Sequence, residues 1–299
     1  MIFLIFTVIV IFLVFPLEFA LCSRDALYMC INSVIPSLFP FAVMAKTLVL
    51  ILDIKKEGIF IKTVKNIFNI SKNGAIAFIL GAVCGYPIGA KTVAELYKNK
   101  RITKSEAKRL MCFVNNAGPA FTIATVGGIF LLSIKAGVII YLSHIISSII
   151  IGALISRTDK AKEIKSEEKE KIKFSKAFTL SVSDAVISVI NVSGIIVFFS
   201  AFLHIFDIIN LKSFLPLGFI PVFKGLFEMT GGIKELSDSL LPYGIKVSLS
   251  SFLISFSGAS VFFQIKTFSE DFNILPVIIS KFISALLAFF ISFLFLNIL

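Results

Sequence analysis

The sequence predicts an all-α, polytopic membrane protein built as an inverted-topology repeat, with two re-entrant hairpins and broken helices. Three observations lead there. The 299 residues are 57% hydrophobic and 16% charged, with a mean hydropathy of +0.98, too apolar to be hidden in one soluble core. The cations gather in short hydrophilic breaks between apolar runs, as orientation in a membrane demands. Two of those runs are themselves interrupted, at Gly85-Tyr-Pro-Ile-Gly-Ala-Lys91 and at Asn115-Asn-Ala-Gly-Pro119. Exposed N–H and C=O groups go unsatisfied in hydrocarbon, so broken helices persist only beside protein or a wet cavity, where transporters build their sites.

From the N-terminus, residues 2–21 form an apolar run long enough to span. The stretch lacks a basic leading region and a small-residue cleavage site, so it reads as a retained first helix (residues 1–21) and not as a signal peptide. Arg24 and Asp25 mark a short turn, and the next helix, Ala26 to Leu52, carries Asn32, Pro36 and Pro40 and is expected to kink. A basic break follows at 53–72. Residues 74–97 are apolar and then glycine-broken, ending in the polar stretch 98–109. Within it Thr103-Lys-Ser-Glu106 has capping-box spacing and should start a helix whose Lys108 and Arg109 stand at its aqueous end. Apolar stretches at 112–133 and 136–156 complete a first repeat over residues 22–156.

Arg157 to Lys176 holds eight cations against five acids and reads as a solvated cytoplasmic linker. The second repeat, 177–299, has apolar stretches at about 178–209, 214–223, 240–265 and 274–299, with Gly225-Leu-Phe-Glu-Met-Thr-Gly-Gly232 between them.

Internal similarity supports the repeat. Asp25-Ala-Leu-Tyr-Met-Cys-Ile-Asn32 and Asp184-Ala-Val-Ile-Ser-Val-Ile-Asn191 share Asp, Ala, Ile and Asn at a displacement of 159 residues (184 − 25). In that reading each Asp caps a helix start and each Asn faces the bundle interior. Gly85 and Gly225, Glu95 and Glu235, and Gly118 and Gly258 are displaced by 140. If the breaks at 53–72, 98–109 and 157–176 are all cytoplasmic, residues 74–97 enter and leave on one side, and the halves have opposite orientation. The N-terminus is then cytoplasmic, Cys22 lies near the outer face, Cys112 near the inner, and the C-terminus is outside.

The combination of Pro36-Ser-Leu-Phe-Pro-Phe41, Gly85-Tyr-Pro-Ile-Gly-Ala-Lys91, the basic segment 100–109, Asn115-Asn-Ala-Gly-Pro119 and Gly225-Leu-Phe-Glu-Met-Thr-Gly231 resembles the YlbJ family of sporulation integral membrane proteins over most of the chain. That resemblance implies a nucleoside-recognition or gate domain, distantly similar to concentrative nucleoside transporters. It also implies a role in spore formation, in which the family is associated with moving dipicolinic acid toward the forespore, and so a place in the cell membrane or a forespore membrane.

A planar aromatic dianion needs positive potential, oriented donors and a flat surface. Lys91 offers charge, a half-helix start near Gly89 offers N–H groups, and Tyr86 offers a ring. The plainer alternatives are that Lys91 snorkels to the interface and Tyr86 only packs. Asn115 and Asn116 beside Gly118 are candidates for solute contact or for bonds between helices. Glu228, with Thr230 next to it, is a costly intramembrane carboxylate and a candidate for coupling a proton or cation, unless it lies at an outer hairpin tip. Ser257, Ser260 and Gln264 mirror the asparagine region in the second half. Gly85, Pro87, Pro119, Gly225, Gly231 and Gly258 are the expected structural breaks. No cofactor and no metal site are expected from the scattered Cys22, Cys30, Cys84, Cys112, His144 and His204, and no catalytic constellation appears, so an enzyme is not expected. Expected partners are the lipid bilayer, a small-molecule substrate, a coupling proton or cation and, as an option, a second copy in a homo-oligomer; nucleic acid is not. The competing functions are nucleoside transport and a non-transporting scaffold or regulator of spore-envelope assembly.

Overall fold

The computed structural model describes residues 2–51, 58–156, 172–208, 215–216, 218–268 and 272–298. Most of the charged linker, 157–171, and part of the basic break, 52–57, lie outside the described residues. Among the described residues the fold is helical without strands.

The first half opens with α1 (Ile2–Val14), α2 (Pro16–Met29), a π-helical turn at Cys30–Val34 and α3 (Ile35–Ile51). Next come α4 (Ile59–Phe68), the hairpin α5 (Lys72–Cys84) and α6 (Ile88–Lys98), α7 (Lys104–Met111), a π-helix at Ala120–Phe130, and α8 (Ile134–Ile155). The second half repeats this order with one long helix α9 (Phe174–Ile208), the hairpin α10 (Phe219–Phe227) and α11 (Met229–Asp238), a broken pair α12 (Tyr243–Phe256) and α13 (Gly258–Phe268), and α14 (Leu275–Ile298). Five stretches are long and apolar enough to cross a membrane: Pro16–Leu48, Ile134–Ile155, Phe174–Ile208, Tyr243–Phe268 and Leu275–Ile298. The pair Ile59–Phe68 and Lys72–Cys84, bent by 99°, could count as one more. The chain is thus a multi-pass membrane protein.

Contacts between the halves are reciprocal. Helix α6 of the first hairpin packs on α13 of the second broken pair, and α11 of the second hairpin packs on the π-helix of the first. Helices α3 and α9 pack together, as do α8 and α14. Ser147 of α8 and Ser284 of α14, 137 residues apart, share a hydrogen bond of 2.8 Å. Reciprocal contacts of this kind are expected of two repeats related by a pseudo-two-fold axis.

Several local expectations are corrected. Helix α2 runs through Arg24 and Asp25, and the chain breaks instead at Phe15, before Pro16, which lacks a backbone donor. Asp25 and Asp184 therefore sit inside helices and cap no helix start, and Asn32 and Asn191 are exposed, with Asn32 bonding its own turn at the Tyr28 carbonyl. Pro36 and Pro40 lie within α3, and a π-helical turn precedes them in one continuous span, Pro16–Leu48. The basic break contains an amphipathic helix, α4, that buries Val64 and Phe68.

The Thr103 cap is present, its hydroxyl accepting from the Glu106 N–H at 3.1 Å. The Glu106 side chain, however, accepts from the Ser71 N–H at 2.6 Å, so it ties α7 to the start of α5. Arg109 is buried with it, not held at an aqueous end, and donates to the Ser156 and Asn69 carbonyls.

Candidate functional site

Both hairpins turn within the bundle. In the first, α5 ends at Gly85, whose φ of +82° suits glycine, and Pro87 opens α6. A Cβ on Gly85 would lie 2.7 Å from the Gly118 N, so the hairpin turn rests directly on the unwound segment after α7. Gly81 and Gly89 leave room for the Val114 carbonyl, which a Cβ on either would strike. The second hairpin turns at Glu228. Gly225 and Gly231, expected as breaks, lie inside α10 and α11 instead; Gly232 lets α11 meet the Gly225 backbone, and Gly225 leaves room for Leu253 of α12. The matching break of the broken pair is at Ser257 and Gly258, with φ values of +78° and +81°.

The hairpin tips meet. The Tyr86 hydroxyl of the first lies 2.6 Å from Met229 Sδ of the second. Beside them is a small cavity of about 20 Å³, room for about one water, lined by Tyr86, Phe121, Glu228, Thr230, Ser260 and Gln264 with apolar residues of the π-turn, α3 and α9. Glu228 is 2% exposed and caps α11, accepting from the Thr230 N–H at 2.9 Å and the Gly231 N–H at 2.6 Å. The carboxylate thus satisfies backbone donors and opposes the positive end of the helix dipole. Gln264 Oε1 is buried without a partner beside it.

Lys91 lies in a different place. Its ammonium donates to Asp184 Oδ1 at 2.6 Å and Ser188 Oγ at 3.1 Å, both on α9, and stands 5.9 Å from the centre of the Phe268 ring. Lys46 of α3 pairs with Glu95 and lies 3.9 Å from Asp184. Lys46, Lys91, Glu95, Asp184 and Ser188 line a second small cavity, also about 20 Å³, with Thr92 and Ile88. A further cluster joins Lys224 to Asp207 at 2.7 Å and to Glu235 at 2.9 Å, with His204 beside Asp207. Thus Glu95 and Glu235, matched in the sequence repeat, each hold a lysine next to an aspartate of α9.

The unwound segment 112–119 carries the asparagines. Asn115 Oδ1 accepts from the Ala90 N–H at 3.4 Å, and Asn116 donates to the Phe113 and Val114 carbonyls. His144 Nε2 accepts from the Ala117 N–H at 3.0 Å, so its Nδ1 carries the proton given to Ser255 Oγ at 2.9 Å. Lys281 of α14, 1% exposed, donates to the Asn115 carbonyl.

Of the sequence candidates, Tyr86, Glu228, Thr230 and Ser260 converge on the tip space. Gly89, Asn115, Asn116 and Gly118 form the packed wall behind it, Ser257 marks the second break, and Lys91 stands apart. Sequence reasoning missed Lys46, the partners of His144, and Lys281, whereas Gln264, which mirrors the asparagine region together with Ser257 and Ser260, lines the tip space. Lys281 had a signal, a single charge in the apolar run Leu275–Ile298. Among the described residues no three His, Cys, Asp or Glu side chains gather as a metal site.

No protein-family model matches the chain, and no solved structure does. A curated relative does: the sporulation integral membrane protein YlbJ of Bacillus subtilis is 25% identical, over 81% of this chain and 68% of its own length.

Proposed function

Starting from this chain's membership of the YlbJ family, we propose that it is a sporulation membrane transporter that moves a small anionic aromatic solute, dipicolinic acid, toward the forespore. The observation that carries this reading is the meeting of two hairpin tips over a lined space that holds a buried, capped carboxylate. Tyr86 and Phe121 supply ring faces, and Thr230, Ser260 and Gln264 supply polar contacts. Repulsion between an entering carboxylate and Glu228 is relieved when Glu228 takes a proton, so solute and proton travel together. The two lysines of the α3–α6–α9 space receive the dianion on the way, its carboxylates competing with Asp184 and Glu95 for Lys91 and Lys46.

A second reading has an observation of its own. Among the described residues no lysine or arginine lines the tip space, which favours a neutral polar solute such as a nucleoside. Uptake of labelled dipicolinate into proteoliposomes under an inward proton gradient tests both. Saturable uptake that uridine and adenosine leave unchanged supports the first reading, whereas competition by nucleosides supports the second. Uptake equal to that of empty vesicles would leave a non-transporting envelope scaffold as the remaining role.

A further inference from the structure

Helix α14 places one charge in the interior, and it meets the first broken span where the backbone is unwound. Lys281 has no carboxylate within ion-pair distance among the described residues; its recorded acceptor is the Asn115 carbonyl. Other carbonyls of the same segment are held by neutral donors. Ser280 Oγ donates to the Cys112 carbonyl at 3.0 Å, and Ser148 Oγ to the Phe113 carbonyl at 2.7 Å. Asn116 Oδ1, a second acceptor in the same segment, is buried without a partner, as is Asn115 Nδ2. Main-chain carbonyls freed by a break in a membrane helix are the ligands with which transporters coordinate an alkali cation. An ammonium is a monovalent cation of comparable charge, brought here by its own stem.

A second contact crosses between the halves in the opposite direction. His144 on α8 reaches Ser255, just before the second break, as Lys281 on α14 reaches Asn115 in the first.

We propose that Lys281 is a tethered cation for the unwound segment 112–119, its ammonium satisfying the Asn115 carbonyl in the place of an alkali cation, so that this break needs no bound Na⁺ or K⁺. The assignment holds whether or not the protein moves a solute. It says that removing the charge, and not the bulk, loosens residues 112–119.

Amide hydrogen exchange on the full-length purified protein tests it. Exchange in 112–119 should be the same in sodium, potassium and choline chloride for the wild type. Lys281→Met, which keeps the side chain's volume, should exchange there about tenfold faster in choline, with α9 unaffected. In Lys281→Ala, propylammonium should restore protection and propanol should not. Wild-type protection that requires sodium, unchanged protection in Lys281→Met, or equal rescue by propanol would overturn the proposal. The methionine variant decides the matter alone if the alanine variant does not fold.

Discussion

The Tyr86 hydroxyl and Met229 Sδ lie 2.6 Å apart although 143 residues separate them in the chain. The contact joins the turn of one hairpin to the first residue of α11 in the other, so the two halves touch where each is least regular. A cavity at that junction is bounded by both repeats, and relative movement of the hairpins must change it.

Glycine at position 85 is required twice over, by its φ of +82° and by the Gly118 N that a Cβ would meet at 2.7 Å. Gly85→Ala should lower stability by about 2 kcal/mol, within the cost of a strained backbone conformation. Gly194→Ala is the comparison, because nothing lies within 4 Å of its added Cβ. It should leave the melting temperature of the detergent-solubilised protein unchanged or slightly higher.

Glu228 has a structural part separable from any coupling part. Glu228→Ala leaves the Thr230 and Gly231 N–H groups without their acceptor and should destabilise by about 2 kcal/mol. Glu228→Gln keeps a carbonyl oxygen for one of them and should lose less. If Glu228 carries the coupling proton, the glutamine variant should also show dipicolinate uptake that no longer responds to the proton gradient, which flux measurements at equal and unequal pH will reveal.

Lys91 and Asp184 tie the first hairpin to the second repeat. A double-mutant cycle with Lys91→Met and Asp184→Asn, read by thermal melting, should give a coupling of about 1 kcal/mol. The exposed pair Lys234 and Asp238 on α11 should give almost none, since solvent screens it. Exchanging the charges, Lys91→Asp with Asp184→Lys, should recover part of the loss.

Much of the architecture was legible in residue order because the bilayer imposes strong constraints on backbone. Hydropathy located the spans near 136–156, 178–209, 240–265 and 274–299 but not the first, where the run 2–21 breaks at Phe15 and the span is Pro16–Leu48; the glycine-proline run at 85–89 located the first hairpin turn, since few other sequences permit a tight reversal there. The second hairpin was placed around Gly225 to Leu236, with its breaks expected at Gly225 and Gly231, and the reversal falls between them, at Glu228. There the reversal is made by an acidic residue that caps the next helix, and Gly225 serves close packing instead. The Asp–Asn motif pointed to the repeat but misled on its parts, because both stretches lie within helices and their asparagines bond locally or face outward.

The site was half visible. Tyr86, Glu228, Thr230 and Ser260 could be named from helix breaks and an intramembrane acid. That Lys91 belongs with Lys46, Glu95 and Asp184 depends on how α3, α6 and α9 pack, which no local pattern encodes. His144 was legible only as an isolated residue, since its partners Ala117 and Ser255 come from two different broken spans.

The most direct measurement joins the tips and follows transport. In a background with Cys22, Cys30, Cys84 and Cys112 replaced by alanine, Tyr86→Cys and Met229→Cys are bridged with a short reducible bis-methanethiosulfonate, and dipicolinate uptake is measured before and after reduction. The account predicts an intramolecular bridge, arrested uptake, and recovery on reduction. Failure of the two cysteines to bridge, or uptake that continues undiminished while they are joined, would contradict it.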